Sequence, residues 1–239
     1  MDDSDPFATH HQMATPSRPL LGLTILVVED SRFACEAMRL LCLRSGARIR
    51  RADCLRSARR HLQVYRPSVA FIDLGLPDGS GVDLIEELAT TVPRVGVILG
   101  TSGDDFAESL AIAAGADGFL AKPLTSLAAF QEAILSRMSE DRQPPGPRIV
   151  SDEAITPDPI AFQDDMAHMA EMLNTSVDEK TLDYVAQFIS GVARSADDTA
   201  LAQAAFDLAR ARAEGAPLAS NAARIAGLVQ DRLHHKLLI

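Results

Sequence analysis

At 239 residues, with 47% hydrophobic and 23% charged residues, the chain has the composition of ordinary globular protein and room for one large domain or two modest ones. A net charge of -10 argues against broad nucleic-acid affinity, because phosphate backbones attract basic faces. The longest apolar run, residues 20–28, is broken by Gly22 and Thr24 and is far too short to span a bilayer. The start, Met1-Asp2-Asp3-Ser4-Asp5, is acidic where a secretory signal would be basic. Cys35, Cys42 and Cys54 show no C-x-x-C spacing and leave one thiol unpaired in any connectivity, so small buried residues in a reduced cytoplasm are expected, with no membrane partner.

In chain order, residues 1–20 mix Asp, Ser, His, Pro and Thr without periodicity and read as a flexible lead-in. Short apolar runs then alternate with helical stretches. Strands are expected at 23–28, 48–51, 69–72, 95–99 and 118–121, and helices at 31–44, 55–65, 82–90, 105–114 and 127–138. That alternation predicts an α/β domain over 21–139, a doubly wound five-stranded parallel sheet of the flavodoxin-like order 2-1-3-4-5. The second strand, with Arg48, Arg50 and Arg51, suits a sheet edge.

Residues 140–159 contain Pro144, Pro145, Pro147, Pro157 and Pro159 and read as a stiff, extended linker. Beyond them the pattern is wholly helical, predicting a separate all-α helical module over 160–239. Phe162, Met166, Met169, Ala170 and Leu173 share one face. Ser176 with Glu179, and Ser195 with Asp198, read as capping signals for the next two helices. Gly215 and Pro217 punctuate the chain before a last helix bearing Ile225, Leu228, Val229 and Leu233.

In an open parallel sheet, functional groups gather beyond the carboxyl ends of the strands. Those ends carry Glu29-Asp30, Asp73, Thr101-Ser102 and Lys122-Pro123. Because the first and third strands are neighbours, three carboxylates meet at one edge and repel unless a cation sits among them. Such hard oxygen donors suit Mg²⁺. Lys122 adds a fixed positive charge and Thr101 a hydroxyl, which together make equipment for phosphoryl transfer to the Asp73 carboxylate. Thr101 is preferred over Ser102 because it directly follows the apolar strand.

The segments Val27-Val28-Glu29-Asp30, Asp73-Leu74-Gly75-Leu76-Pro77-Asp78-Gly79-Ser80-Gly81, Leu99-Gly100-Thr101-Ser102 and Gly115-Ala116-Asp117-Gly118-Phe119-Leu120-Ala121-Lys122-Pro123 stand in an order and spacing that resembles the receiver domain of two-component response regulators. The resemblance covers about half the chain. It implies that Asp73 is the phosphoacceptor and that Glu29, Asp30, Asp73 and the main-chain carbonyl of Gly75 hold Mg²⁺. It further implies that Thr101 and Lys122 contact the phosphoryl group, that Phe119 is the switch aromatic, acting by ring packing alone, and that Lys122-Pro123 is cis. Such a protein is not an enzyme in the usual sense and catalyses only its own phosphorylation and dephosphorylation.

Residues 151–239 hold 14 Asp and Glu against 7 Lys and Arg, a net of -7, with no basic recognition helix. A protein-interaction or dimerisation module is therefore expected. Its partners would be a sensor histidine kinase or phosphotransfer protein upstream, a downstream protein, and a second copy of the chain. The alternative is a transcriptional regulator with an atypical DNA-binding bundle. His168 raises a third option, a phosphorelay shuttle, but lacks the Lys and Gly that usually follow such a histidine and reads first as an ordinary surface residue. His234-His235 reads as a solvated helix end.

Overall fold

A computed structural model of the chain describes residues 14–104, 106–139, 142–145, 153–175 and 178–234. In chain order the elements are β1 (Thr24–Val28), α1 (Arg32–Ser45), β2 (Arg48–Ala52), α2 (Leu55–Val64), β3 (Val69–Asp73), β4 (Gly75–Leu76), β5 (Gly79–Ser80) and α3 (Gly81–Thr90). There follow β6 (Val97–Ser102), α4 (Ala107–Ala113), β7 (Gly118–Ala121) and α5 (Leu127–Leu135). The second half holds α6 (Pro159–Asn174), α7 (Glu179–Ser195), α8 (Thr199–Ala213) and α9 (Ala219–His234).

The five main strands pair in parallel in the order β2-β1-β3-β6-β7, which is the flavodoxin-like arrangement expected. Alternation along buried strands splits the core in two. Ile25, Val27, Phe71, Val97 and Leu99 face α1 and α5, where Phe71 stacks on Phe130 with centroids 5.3 Å apart. Leu26, Val28, Ala70, Ile72 and Ile98 face the opposite layer with Leu55, Leu84, Ile85 and Ala111. The loop after Asp73 forms a small antiparallel hairpin, β4-β5. At its tip the Asp78 carboxylate accepts from the Leu55 and Arg56 amides at 2.8 and 3.0 Å, capping α2 where Cys54 makes no side-chain cap.

Two expected boundaries move. The lead-in ends before residue 20, because Leu20 is fully buried and its amide donates to the Ser45 carbonyl. The linker is anchored at its far end, where Ala154 bridges Ser126 and Ile155 is buried in the first core. The second half has its own core, built on Met166, Met169, Val185, Ile189, Leu201, Leu208, Ile225 and Val229. The capping signals there shift by physical competition. Ser176 lies outside the described residues, and Asp178 caps α7 by accepting from Thr181 N. Ser195 is the last residue of α7 and donates to the Gly191 carbonyl, leaving Asp198 to cap α8. The module was expected to be separate, yet α6 and α7 pack directly on α1 and on the β4 hairpin.

Candidate functional site

Each strand end delivers its group because the sheet is parallel and all carboxyl ends open on one edge. β1 ends before Glu29 and Asp30, β3 ends in Asp73, and β7 ends just before Lys122. The Lys122 Nζ lies 2.7 Å from Asp73 Oδ2 and 2.7 Å from Glu29 Oε2, all three side chains being buried. Glu29 also accepts from the Ser31 amide, and Asp73 Oδ1 from the Gly75 amide. Glu29, Asp30 and Asp73 bring one carboxylate oxygen each to within 4.8 Å of one another. The Lys122–Pro123 peptide is cis.

The electrostatics follow from three acids and one cation with little water. Burial raises the Glu29 carboxyl well above its usual range, with Lys122 opposing and Asp73 and Asp30 adding. Burial, then the charge of Asp73, push Asp30 up to about 7, against the lowering effect of a hydrogen bond from Tyr184. Burial alone would lower the Lys122 ammonium, but Asp73 and Glu29 hold it above its ordinary value, so it stays charged. Asp30 Oδ1 is buried without a hydrogen-bond partner. An orphaned carboxylate oxygen facing two further carboxylates is what a hard divalent cation satisfies, so the donor set fits Mg²⁺.

Two hydroxyls stand at the end of β6. β6 runs on through Ser102, three residues past the expected end, so following the strand does not select Thr101. Alternation places Thr101 on the face of Val97 and Leu99, beside its register partner Asp73, and its hydroxyl is buried and unpartnered. Ser102 shares the face of Ile98 and Gly100, and it is Ser102 that lines the cavity beside Asp73. Phe119 packs on that same face, with its ring against Gly100. Ser102 and Phe119 thus lie on one face of the sheet, where the Ser102 hydroxyl also accepts from the Asp104 amide at 3.1 Å. His168 is exposed and packs edge-on against Phe188, with centroids 6.1 Å apart.

Residues from the second half complete the site, which the sequence did not signal. The Tyr184 hydroxyl donates to Asp30 Oδ2 at 2.5 Å; burial and the nearby Asp30 charge raise the phenol, so it remains the donor. Gln187 lies across Gly75, where any Cβ would meet its amide. Phe188 and Gly191 line the same cavity. On α6, Asp165 accepts from the Ser31 hydroxyl at 2.7 Å and from the Arg32 and Phe33 amides at 2.8 and 3.1 Å. Because Ser31 takes the Ala34 amide, the start of α1 is capped by two residues 134 positions apart. Burial raises the Asp165 carboxyl, and these donors oppose it.

A parallel five-stranded sheet with an acidic pocket and a lysine at its carboxyl edge defines the receiver class of signalling domains. Residues 25–134 match the family described as the response regulator receiver domain, and this segment is such a domain. Among curated proteins, the chain is 29% identical over 99 residues to the KDP operon transcriptional regulatory protein KdpE of Escherichia coli, covering 41% of this chain and 44% of that one. It is 28% identical over 120 residues to the virulence transcriptional regulatory protein PhoP of Salmonella typhimurium, covering 49% and 54%. The chain thus spans about half the length of the curated relatives it matches. Among solved structures, a putative response regulator from Chloroflexus aurantiacus is 27% identical with a TM-score of 0.44, covering 48% of this chain and 98% of that one. The receiver domain of the sensor histidine kinase PA1611 from Pseudomonas aeruginosa, solved with a magnesium ion coordinated in its active-site cleft, is 22% identical with a TM-score of 0.43, covering 48% and 95%. The helical second half lies outside the family match.

Proposed function

We propose that the chain is a cytoplasmic phosphorelay protein that accepts a phosphoryl group on Asp73 from a histidine kinase or phosphotransfer protein and signals through its helical module to another protein. The observation that carries this reading is the Lys122 ammonium held 2.7 Å from the Asp73 carboxylate inside a three-carboxylate pocket. A carboxylate oxygen of Asp73 attacks the phosphorus in line; the new P–O bond forms as the donor's P–O or P–N bond breaks, and the leaving group departs with the electron pair. Lys122 stabilises charge on the transferred oxygens, Thr101 and Ser102 place hydroxyls at the same strand end, and the Gly75 carbonyl would join the carboxylates in holding Mg²⁺. A Mg²⁺ bound by Glu29, Asp30 and Asp73 would neutralise the remaining charge. The protein would catalyse only its own labelling and hydrolysis. Asp73→Asn is expected to abolish labelling by acetyl phosphate, as is chelation of Mg²⁺, measured by phosphate-affinity gel shift. Retained labelling of the Asp73→Asn protein would sink the assignment.

A second reading, transcriptional regulation, is favoured by the names of KdpE and PhoP and by one surface. Arg48, Arg50, Arg51, Arg56 and Arg60 are exposed along β2 and α2, and none of them forms a salt bridge among the described residues. A phosphate-contacting surface would bind duplex DNA with an affinity that falls steeply with salt. Flat, salt-independent retention in mobility-shift titrations would count against it.

A further inference from the structure

Tyr184, Gln187, Phe188 and Gly191 fall at i, i+3, i+4 and i+7, so one face of α7 presents all four. That face lies on the acidic pocket. Tyr184 bonds Asp30, Gln187 crosses Gly75, and Phe188 lines the cavity. Gly191 brings the helix backbone itself against the site. A Cβ there would sit 3.6 Å from Lys122 Nζ, and one on Gly103 would sit 3.1 Å from Gly191 Cα. The space left among Glu29, Asp30, Asp73, Ser102, Lys122 and α7 is about 10 Å³, room for roughly one water.

A phosphoryl group, with three oxygens and a donor entering in line behind it, does not fit that space. We propose that α6 and α7 form an intramolecular lid over the phosphoacceptor, which must lift for the donor to enter and which the acyl phosphate then keeps from closing. This rests on the phosphoacceptor reading and adds its regulation. The lid is latched from α6, where Asp165 caps α1 and Phe162 packs edge-on against Phe33 with centroids 5.8 Å apart. The occupant of the α7 face in the unmodified state is thus the receiver's own pocket. Lifting uncovers Phe162, Tyr184 and Phe188 together, an aromatic face that the phosphorylated chain offers to a protein partner. Linkage makes the effect reciprocal: whatever holds the freed face favours phosphorylation of Asp73 to the same degree.

Two variants of the full chain test the lid, with acetyl phosphate and Mg²⁺ as the probe and the initial rate of Asp73 labelling as the readout. Asp165→Ala removes the latch while leaving the three carboxylates and Lys122 in place, and is expected to label about tenfold faster, the loss of a charged cap shifting the open fraction. Phe162→Ala, which loses the packing on Phe33 and leaves every residue of the pocket in place, should accelerate labelling likewise. No acceleration in either variant overturns the lid and leaves the phosphoacceptor reading intact. Failure of every form to label, the latch-free variants included, overturns both.

Discussion

Ser102 and Thr101 are adjacent, yet the pleat gives them different neighbours: Ser102 lines the cavity on the Phe119 side, and Thr101 shares the face of its register partner Asp73. Ser102→Ala is therefore expected to lower the labelled fraction at fixed acetyl phosphate about tenfold, as loss of one donor to a developing charge does. Thr101→Val should lower it as well, since a buried hydroxyl without a protein partner is free for the phosphoryl oxygens. A Thr101→Val protein that labels like the parent, in the same gel-shift titration, would leave Ser102 as the contacting hydroxyl. Glu29, Asp30, Asp73 and Lys122 were legible because each follows an apolar run closely and the topology brings those ends together. The hydroxyl was not, because Gly100-Thr101-Ser102 gives no apolar cue to where β6 stops.

At the scale of elements, helix existence was readable from periodicity, while caps were decided by which carboxylate reached the free amides first. Asp198 shows this on α8: it accepts from Leu201 N at 3.0 Å and is forked by the Arg232 guanidinium at 2.8 and 3.0 Å. The Arg232 hydrogen bond holds its carboxyl below the usual value, and burial only partly opposes this. A depressed carboxylate contributes stability that is present above the unfolded value and lost as pH falls through the folded one. Asp198→Ala should then cost about 0.5–2 kcal/mol near pH 7 by the capping scale. Urea melts at falling pH should show that difference shrinking below about pH 4, where the unfolded carboxylate protonates. A difference that stayed constant with pH would mean that the cap works without its charge. Ser195 was misread as a cap because its spacing to Asp198 imitates one, whereas α7 continues to it and takes its hydroxyl.

On the scale of the whole molecule, three apolar clusters are stacked: two on the faces of the sheet and one within α6 to α9. Phe130, fully buried against Phe71, anchors the first, and Phe130→Ala should cost about 3–5 kcal/mol in denaturant titration. A loss under about 1 kcal/mol would show that α5 repacks freely. The sheet order followed from alternation of strand and helix, which is local information. The seating of α7 on the pocket was hidden, because Tyr184 and Asp30 are 154 positions apart and each has an ordinary helical or strand-end context. A periodic apolar face announces burial without saying against what.

The shared cap on α1 also has a consequence in time. Synthesis runs from the amino end at roughly 5–20 residues per second, so Asp165 emerges roughly 7–27 s after the amides it caps. The receiver's last helix ends at Leu135, so for the last roughly 1.5–6 s of that interval the growing chain carries a complete receiver whose first helix is incompletely tied and whose acidic mouth is uncovered. The fold is thus finished before its cover is made, and the cover arrives only with the last third of translation.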